Sequence, residues 1–132
     1  MGRASVHLSV HIDRPVADVY RFAGDPARLP EWAAGLGGSV EFVDGQWVVA
    51  TPDGHVLIEF VPANEHGVLD HLVVLPSGEA VYNPMRVIVD GDGCEVVFPL
   101  RRQPSMSDDE FDRDARAVAA DLATLKRLLE AT

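Results

Sequence analysis

The sequence predicts an α+β domain in which one long C-terminal helix packs across an antiparallel sheet of seven strands. Three observations carry this reading. Phe111, Ala115, Val118, Leu122, Leu125 and Leu129 recur at alternating spacings of four and three, the period of a helix with a single apolar stripe. From Ser39 onward the apolar period drops to two and is cut by the turn dipeptides Asp44-Gly45, Asp53-Gly54, His66-Gly67, Ser77-Gly78 and the run Asp90-Gly91-Asp92-Gly93. A length of 132 residues with 47% hydrophobic and 24% charged residues is that of one globular domain, able to bury a core without disulfides or a structural metal.

The elements follow in order. Val6, Leu8, Val10 and Ile12 alternate with Ser5, His7, Ser9 and His11, which makes a half-buried first strand. Asp13 is then placed to cap a short helix with Pro15 in its first turn and an apolar side of Val16, Val19, Tyr20 and Ala23, ending near Gly24. Pro26 opens a second short helix, with Leu29, Trp32, Ala33 and Leu36 at helical spacing until Gly35, Gly37 and Gly38 release the chain. Six strands fit between the turn signals, at about 39–43, 46–51, 55–62, 68–75, 79–89 and 94–102, joined by hairpins into a meander. The last helix starts at Ser107, which with Glu110 forms a capping box. Asp108, Asp109 and Asp112 sit at the positive end of its dipole, and Lys126 and Arg127 near the negative end. At 1.5 Å per residue it runs roughly 35 Å. Full burial of its large apolar residues contributes roughly 8 to 15 kcal/mol before entropy is subtracted, so it needs a broad partner surface.

Bulk charge narrows the function classes. A net charge of −10, from 21 acidic against 11 basic residues, repels phosphate backbones and anionic membrane surfaces, so neither nucleic acid nor membrane is an expected partner. No apolar run approaches the ~20 residues of a bilayer span, and the alternating stretch from Met1 to Val10 lacks a signal-peptide core, so a cytoplasmic protein is expected. Gly2 is followed by Val6 rather than Ser or Thr at the sixth position, which fails the myristoylation pattern. The lone cysteine, Cys94, lies in a strand-like run and reads as a buried thiol.

No metal or cofactor is expected. His7 and His11 on one strand stand roughly 13 Å apart, too far to share an ion. His66 and His71 lack a third ligand in any metal-site spacing. Gly35-Leu36-Gly37-Gly38 follows a helix rather than a strand and is no phosphate cradle, and Ser105 and Ser107 sit in no nucleophile elbow. The acidic run from Asp108 to Asp114 is explained by the helix dipole.

The element order and the stretch Asp25-Pro26-Ala27-Arg28-Leu29-Pro30-Glu31-Trp32 after the first helix together resemble the START/Bet v 1-like (SRPBCC) superfamily, in particular its polyketide cyclase/dehydrase-type members. The resemblance implies a helix-grip fold, in which a curved seven-stranded sheet wraps the C-terminal helix around a cavity able to hold an apolar ligand. Fold alone does not assign function, which lives in the residues lining that space.

Charged residues on strands orient their faces. Glu59 outward sends Val56, Ile58 and Phe60 inward; Asp70 outward sends His71 and Val73 inward; Gln46 outward turns Trp47 and Val49 in. Arg86 outward sends Val81, Asn83, Met85 and Val87 inward, and Glu95 with Arg101 outward sends Val96, Phe98 and Leu100 inward. The ligand-binding candidates are therefore His71, Asn83, Met85, Trp47, Phe60, Phe98 and Val73 from the strands, with Val118 and Leu122 from the helix: apolar walls with a few orienting polar groups. His71 is the sharpest of them, either an anchor for a carbonyl or hydroxyl, a general base, or a core histidine bonded to backbone or Asn83. Arg86, beside Tyr82, is either solvated surface or, with its strand flipped, a clamp for a carboxylate or enolate. Trp32 and Trp47 are core or pocket wall, Met85 and Met106 deformable wall or simple packing, and Tyr20 could aim its hydroxyl at the cavity mouth.

These residues favour a protein that binds a small hydrophobic or aromatic metabolite in the cavity. One alternative is a polyketide cyclase or dehydratase that uses His71 for proton transfer, the only catalytic role legible. A second is a protein-interaction module, since the superfamily resembled also contains chaperone-activating domains. An edge strand leaves association into a homodimer open.

Overall fold

The structure, a computed structural model, describes residues 4–33 and 39–132. Leu36 and the glycines at 35, 37 and 38, to which the sequence assigns a helix end and the start of a loop, lie outside the described residues. Strand β1 (Ser5–Ile12) is followed by helix α1 (Val16–Ala23), a 3₁₀ turn (Pro26–Arg28) and the single turn of helix α2 (Leu29–Trp32). Strands β2 (Val40–Val43), β3 (Gln46–Thr51), β4 (Gly54–Phe60), β5 (His71–Val74), β6 (Ala80–Asn83), β7 (Arg86–Asp90) and β8 (Gly93–Arg101) come next, and helix α3 (Asp108–Glu130) closes the chain.

The strand count is eight, in two sheets ordered β1-β8-β7 and β2-β3-β4-β5-β6, rather than seven in one. The difference has one cause. The run expected as a single strand over 79–89 breaks at Pro84, which has no N–H to give a ladder. The carboxylate of Asp70 takes the N–H of Met85 instead, at 3.0 Å. Beyond the break, pairing resumes in a new frame: Val68 bridges Arg86, Leu69 N–H donates to Met85 O at 2.8 Å, and Val87 N–H donates to Gly67 O at 2.9 Å. The two sheets thus meet along one bent ribbon, and the bend curves the strands around an inner face.

Turn chemistry sets the register. Asp44 and Gly45 both have positive φ, 50° and 79°, the two-residue turn whose twist matches its flanking strands. Gly67 has φ 70°, and a Cβ there would stand 2.1 Å from Val87 O, so the approach of the bent ribbon to β7 requires glycine.

Asp13 does not cap α1. The helix begins after Pro15 with no side-chain cap, and the Asp13 N–H donates instead to Glu130 at 2.8 Å. Arg14 reaches the same end of α3, giving Nη1 to Leu129 O at 2.6 Å and Nη2 to Asp18 at 2.8 Å. Lys126 Nζ adds a bond to His11 O at 2.7 Å, so the final turn of α3 is tied to the end of β1. The orphan carbonyls of a helix C-terminus find cationic partners here.

At the other end the capping box is present in both directions, Glu110 N–H to Ser107 Oγ at 3.1 Å and Ser107 N–H to Glu110 Oε1 at 3.0 Å. Arg102 pairs with Asp108 beside it. Burial along the apolar stripe is uneven. Leu122, Leu125 and Leu129 are buried, whereas Phe111, Ala115 and Val118 are only partly covered. The C-terminal half of α3 packs on β1, whose inward residue Ile12 is fully buried. Its N-terminal half stands off the second sheet.

Candidate functional site

A cavity of about 280 Å³ lies beneath that N-terminal half, walled by β4, β5, β6, β8, α2 and α3. Its floor follows directly from strand register. Phe60 pairs with His71 and His71 with Asn83, so these three form one row across β4, β5 and β6. Ile58, Val73 and Val81 form the next row on the same face. Phe98 and Leu100 complete the floor from β8, and Leu29, Trp32 and Ala33 close one side. From α3 come Asp114, Ala117, Val118, Asp121 and Leu122, spaced so that one face of the helix meets the space.

His71 is held in a defined tautomer. Its Nδ1 is 3.0 Å from Leu69 O, and because a carbonyl only accepts, Nδ1 carries the proton and Nε2 keeps a lone pair. The ring packs between Phe60, at 4.9 Å between centroids, and Phe98, at 6.2 Å. Burial pushes its pKa below the ordinary histidine value, outweighing the Leu69 carbonyl and the charge of Asp70, both of which favour the cation. At neutral pH it is a neutral imidazole, able to accept a hydrogen bond or a proton at Nε2.

Seven of the nine candidates line the cavity: His71, Asn83, Phe60, Phe98, Val73, Val118 and Leu122. Met85 does not. It is buried to 1% exposure among the core residues and does not border the cavity. Trp47 also stands apart, because β2 and β3 form the far edge of the larger sheet. There it packs on Phe42 at 5.0 Å and borders a separate groove with Gly24 and Pro26. The Tyr20 hydroxyl is engaged away from the cavity, accepting from Asn64 N–H at 2.9 Å. Cys94 is fully buried, and burial pushes its thiol pKa up.

Asp70 is not an exposed outward residue. It does point away from the cavity, yet it is only 5% exposed, because Arg86 and Tyr82 fold over it. Arg86 Nε and Nη2 each donate to it at 3.0 Å, and Tyr82 Oη–H donates at 2.7 Å. Arg86 therefore clamps a carboxylate of this chain rather than of a ligand. Its guanidinium, with the Met85 N–H and the Tyr82 hydroxyl, outweighs burial and holds the Asp70 pKa at about 2.

Sequence reasoning missed Asp114, assigning it to the helix dipole. Its position contains the signal: it is three residues past Phe111 and four before Val118, on the edge of the apolar stripe. Burial against the cavity wall raises its pKa. Trp32 holds a second polar feature, an indole Nε1–H that is buried with no hydrogen-bond partner among the described residues. Asp114 also borders an adjoining pocket of about 250 Å³, whose lining adds Glu79, Arg101, Gln103, Ser105 and Met106. The two spaces share Leu75, Val81, Asn83, Leu100 and Asp114. Asn83 from the sheet and Asp114 from the helix are the polar residues where they meet.

A curved antiparallel sheet gripping a C-terminal helix, with a cavity between them, defines the helix-grip fold. Solved structures agree with it along nearly the whole chain. DynU16, a protein of the dynemicin biosynthetic locus, matches with a TM-score of 0.72 and 18% identity over 96% of this chain, which spans 47% of DynU16. Ara h 8.0201 matches at 0.67 and 13% identity over 99% of this chain and 100% of that one. The Aha1 dimer from Colwellia psychrerythraea matches at 0.74 and 12% identity over 96% of each. No protein-family model matches the sequence, and no curated protein matches it. Likeness at these identities shows the fold and leaves the activity to the residues of the site. No helix among the described residues is long and apolar enough to cross a membrane.

Proposed function

We propose that this protein binds a small hydrophobic or aromatic metabolite in the cavity beneath α3. The observation that carries the reading is the Phe60–His71–Asn83 row: a half-buried imidazole, locked at Nδ1 with Nε2 available, and an amide next to it, set in apolar walls. An apolar space with a few convergent polar groups is the usual form of a small-molecule site, and about 280 Å³ lies just below the roughly 300–1,000 Å³ such sites occupy. The ligand is accordingly compact, one or two rings rather than a long chain. A thermal-shift screen of small aromatic compounds tests this. A ligand at a hundredfold its Kd adds about 2.7 kcal/mol to stability. His71→Phe should keep the unliganded melting temperature within a few degrees while weakening that ligand at least tenfold, about 1.4 kcal/mol. Equal affinity for the variant would remove His71 from the site, and a screen with no stabilising compound would count against the cavity as a binding site.

A second reading, a polyketide cyclase or dehydratase, is favoured by the same Nε2 lone pair, since an imidazole that is neutral at physiological pH is competent as a base. DynU16, from a biosynthetic locus, lends this reading its fold. Product formation that persists in His71→Phe would exclude the proposed proton transfer. A protein-interaction role has less support: among the described residues the most exposed large apolar side chains, Phe42 and Val89, lie on strands of different sheets.

A further inference from the structure

We infer that the ligand carries a protonated amine, which sits between Asn83 and Asp114 where the two compartments join, and that carboxylate ligands are rejected there. The inference rests on the cavity being a binding site and adds the charge of what it binds. Among the described residues, the inner compartment is lined by no lysine or arginine, whereas the Asp114 carboxylate borders it. His71 supplies no compensating charge, because its proton is fixed on Nδ1 by Leu69 O and the ring packs between Phe60 and Phe98. The side-chain amide of Asn83, half-buried on the floor, has no hydrogen-bond partner among the described residues and offers its carbonyl oxygen to a donor.

The groups facing Asp114 set the sign. On its own helix they are Glu110 one turn before and Asp121 two turns after, both acidic, with the cations Arg113 and Arg116 on adjacent faces. Across the outer compartment stand Glu79, Arg101 and Gln103, of which Arg101 is exposed at the end of β8. Burial raises the Asp114 pKa with no opposing charge beside it, so among the described residues no cation stands close enough to offset the carboxylate at the cavity. A ligand ammonium placed there removes that penalty, and a ligand carboxylate adds to it.

Three probes of one ring system separate the outcomes: naphthylmethylamine, naphthylmethanol and naphthylacetate, titrated calorimetrically into the full chain at pH 7, with wild type and Asp114→Asn compared. The expected order in wild type is amine at least tenfold tighter than alcohol, with acetate weakest. Asp114→Asn should fold normally, lose the preference of amine over alcohol, and leave the alcohol affinity within threefold. Acetate binding as tightly as the amine, or an amine preference that survives Asp114→Asn, overturns the inference while leaving the cavity a binding site. If none of the three probes binds, the cavity reading and the inference fall together. Asn83→Leu is the second variant: it should weaken amine and alcohol alike with their ratio kept within twofold, and a variant that abolishes only amine binding overturns the assignment of the preference to Asp114.

Discussion

Asp70→Asn tests the electrostatic pin between the two sheets. The substitution keeps the shape of the side chain and an acceptor for Met85 N–H, but removes the charge that Arg86 and Tyr82 satisfy. The carboxyl titrates at 3.8 when free of partners and at about 2 in the fold. At 1.36 kcal/mol per unit of pKa, that difference amounts to about 2 kcal/mol of native-state stability. A domain of this size loses roughly 3–5 °C of melting temperature per kcal/mol, so the variant should melt about 6–10 °C lower at neutral pH. The sign with pH follows from the direction of the shift. A depressed carboxyl pKa stabilises the fold fully above the unfolded value near 4, and that contribution is lost as pH falls toward 2. Urea unfolding of wild type and Asp70→Asn at pH 7, 4, 3 and 2.5 should therefore show two curves that converge as pH falls. A stability gap that is the same at pH 7 and pH 2.5, or below about 0.5 kcal/mol at pH 7, would refute the assignment of Asp70 as an ionised buried anchor.

Three further outcomes follow from single positions. Gly67→Ala forces a Cβ to within 2.1 Å of Val87 O at a backbone φ of 70°, so urea unfolding should show a loss of more than 2 kcal/mol, against about 1 kcal/mol for Gly45→Ala, whose Cβ meets nothing within 4 Å and which carries only the cost of a φ of 79°. Ser107→Ala breaks the capping box and should cost about 1 kcal/mol, with helix content by circular dichroism reduced at the start of α3. Cys94 is fully buried with a raised pKa, so its reaction with a thiol reagent at pH 8 should proceed only as fast as the chain opens, and denaturant should accelerate it by orders of magnitude.

The bend at Pro84 links the fold to the site. It displaces Met85 from the cavity row into the core while leaving Asn83, two residues earlier, on the cavity floor. The same bend lets Asp70 sit beneath Arg86, directly before His71, so one side of the strand is pinned by an ion pair and the next residue turns its ring into the cavity. Rigid elements of this kind hold a recognition group more accurately than a loop would.

Local pattern in the sequence determined the element order, the capping box at Ser107 and Glu110, and the inward set on β4, β5 and β8, because side-chain periodicity and turn residues act over a few neighbouring positions. It also placed His71, Asn83 and Phe60 on one face. Tertiary structure alone decided that Asp70 is covered by Arg86 and Tyr82, that Trp47 borders a separate groove, and that Met85 is buried in the core rather than on the cavity wall, since each depends on which element arrives over it from a distant part of the chain. It also decided the standoff of α3, tied down at Leu129 by Arg14 yet raised over the sheet at Val118. A stripe of apolar residues tells which side of a helix is buried, but the gap beneath it is set by the curvature of the sheet it meets.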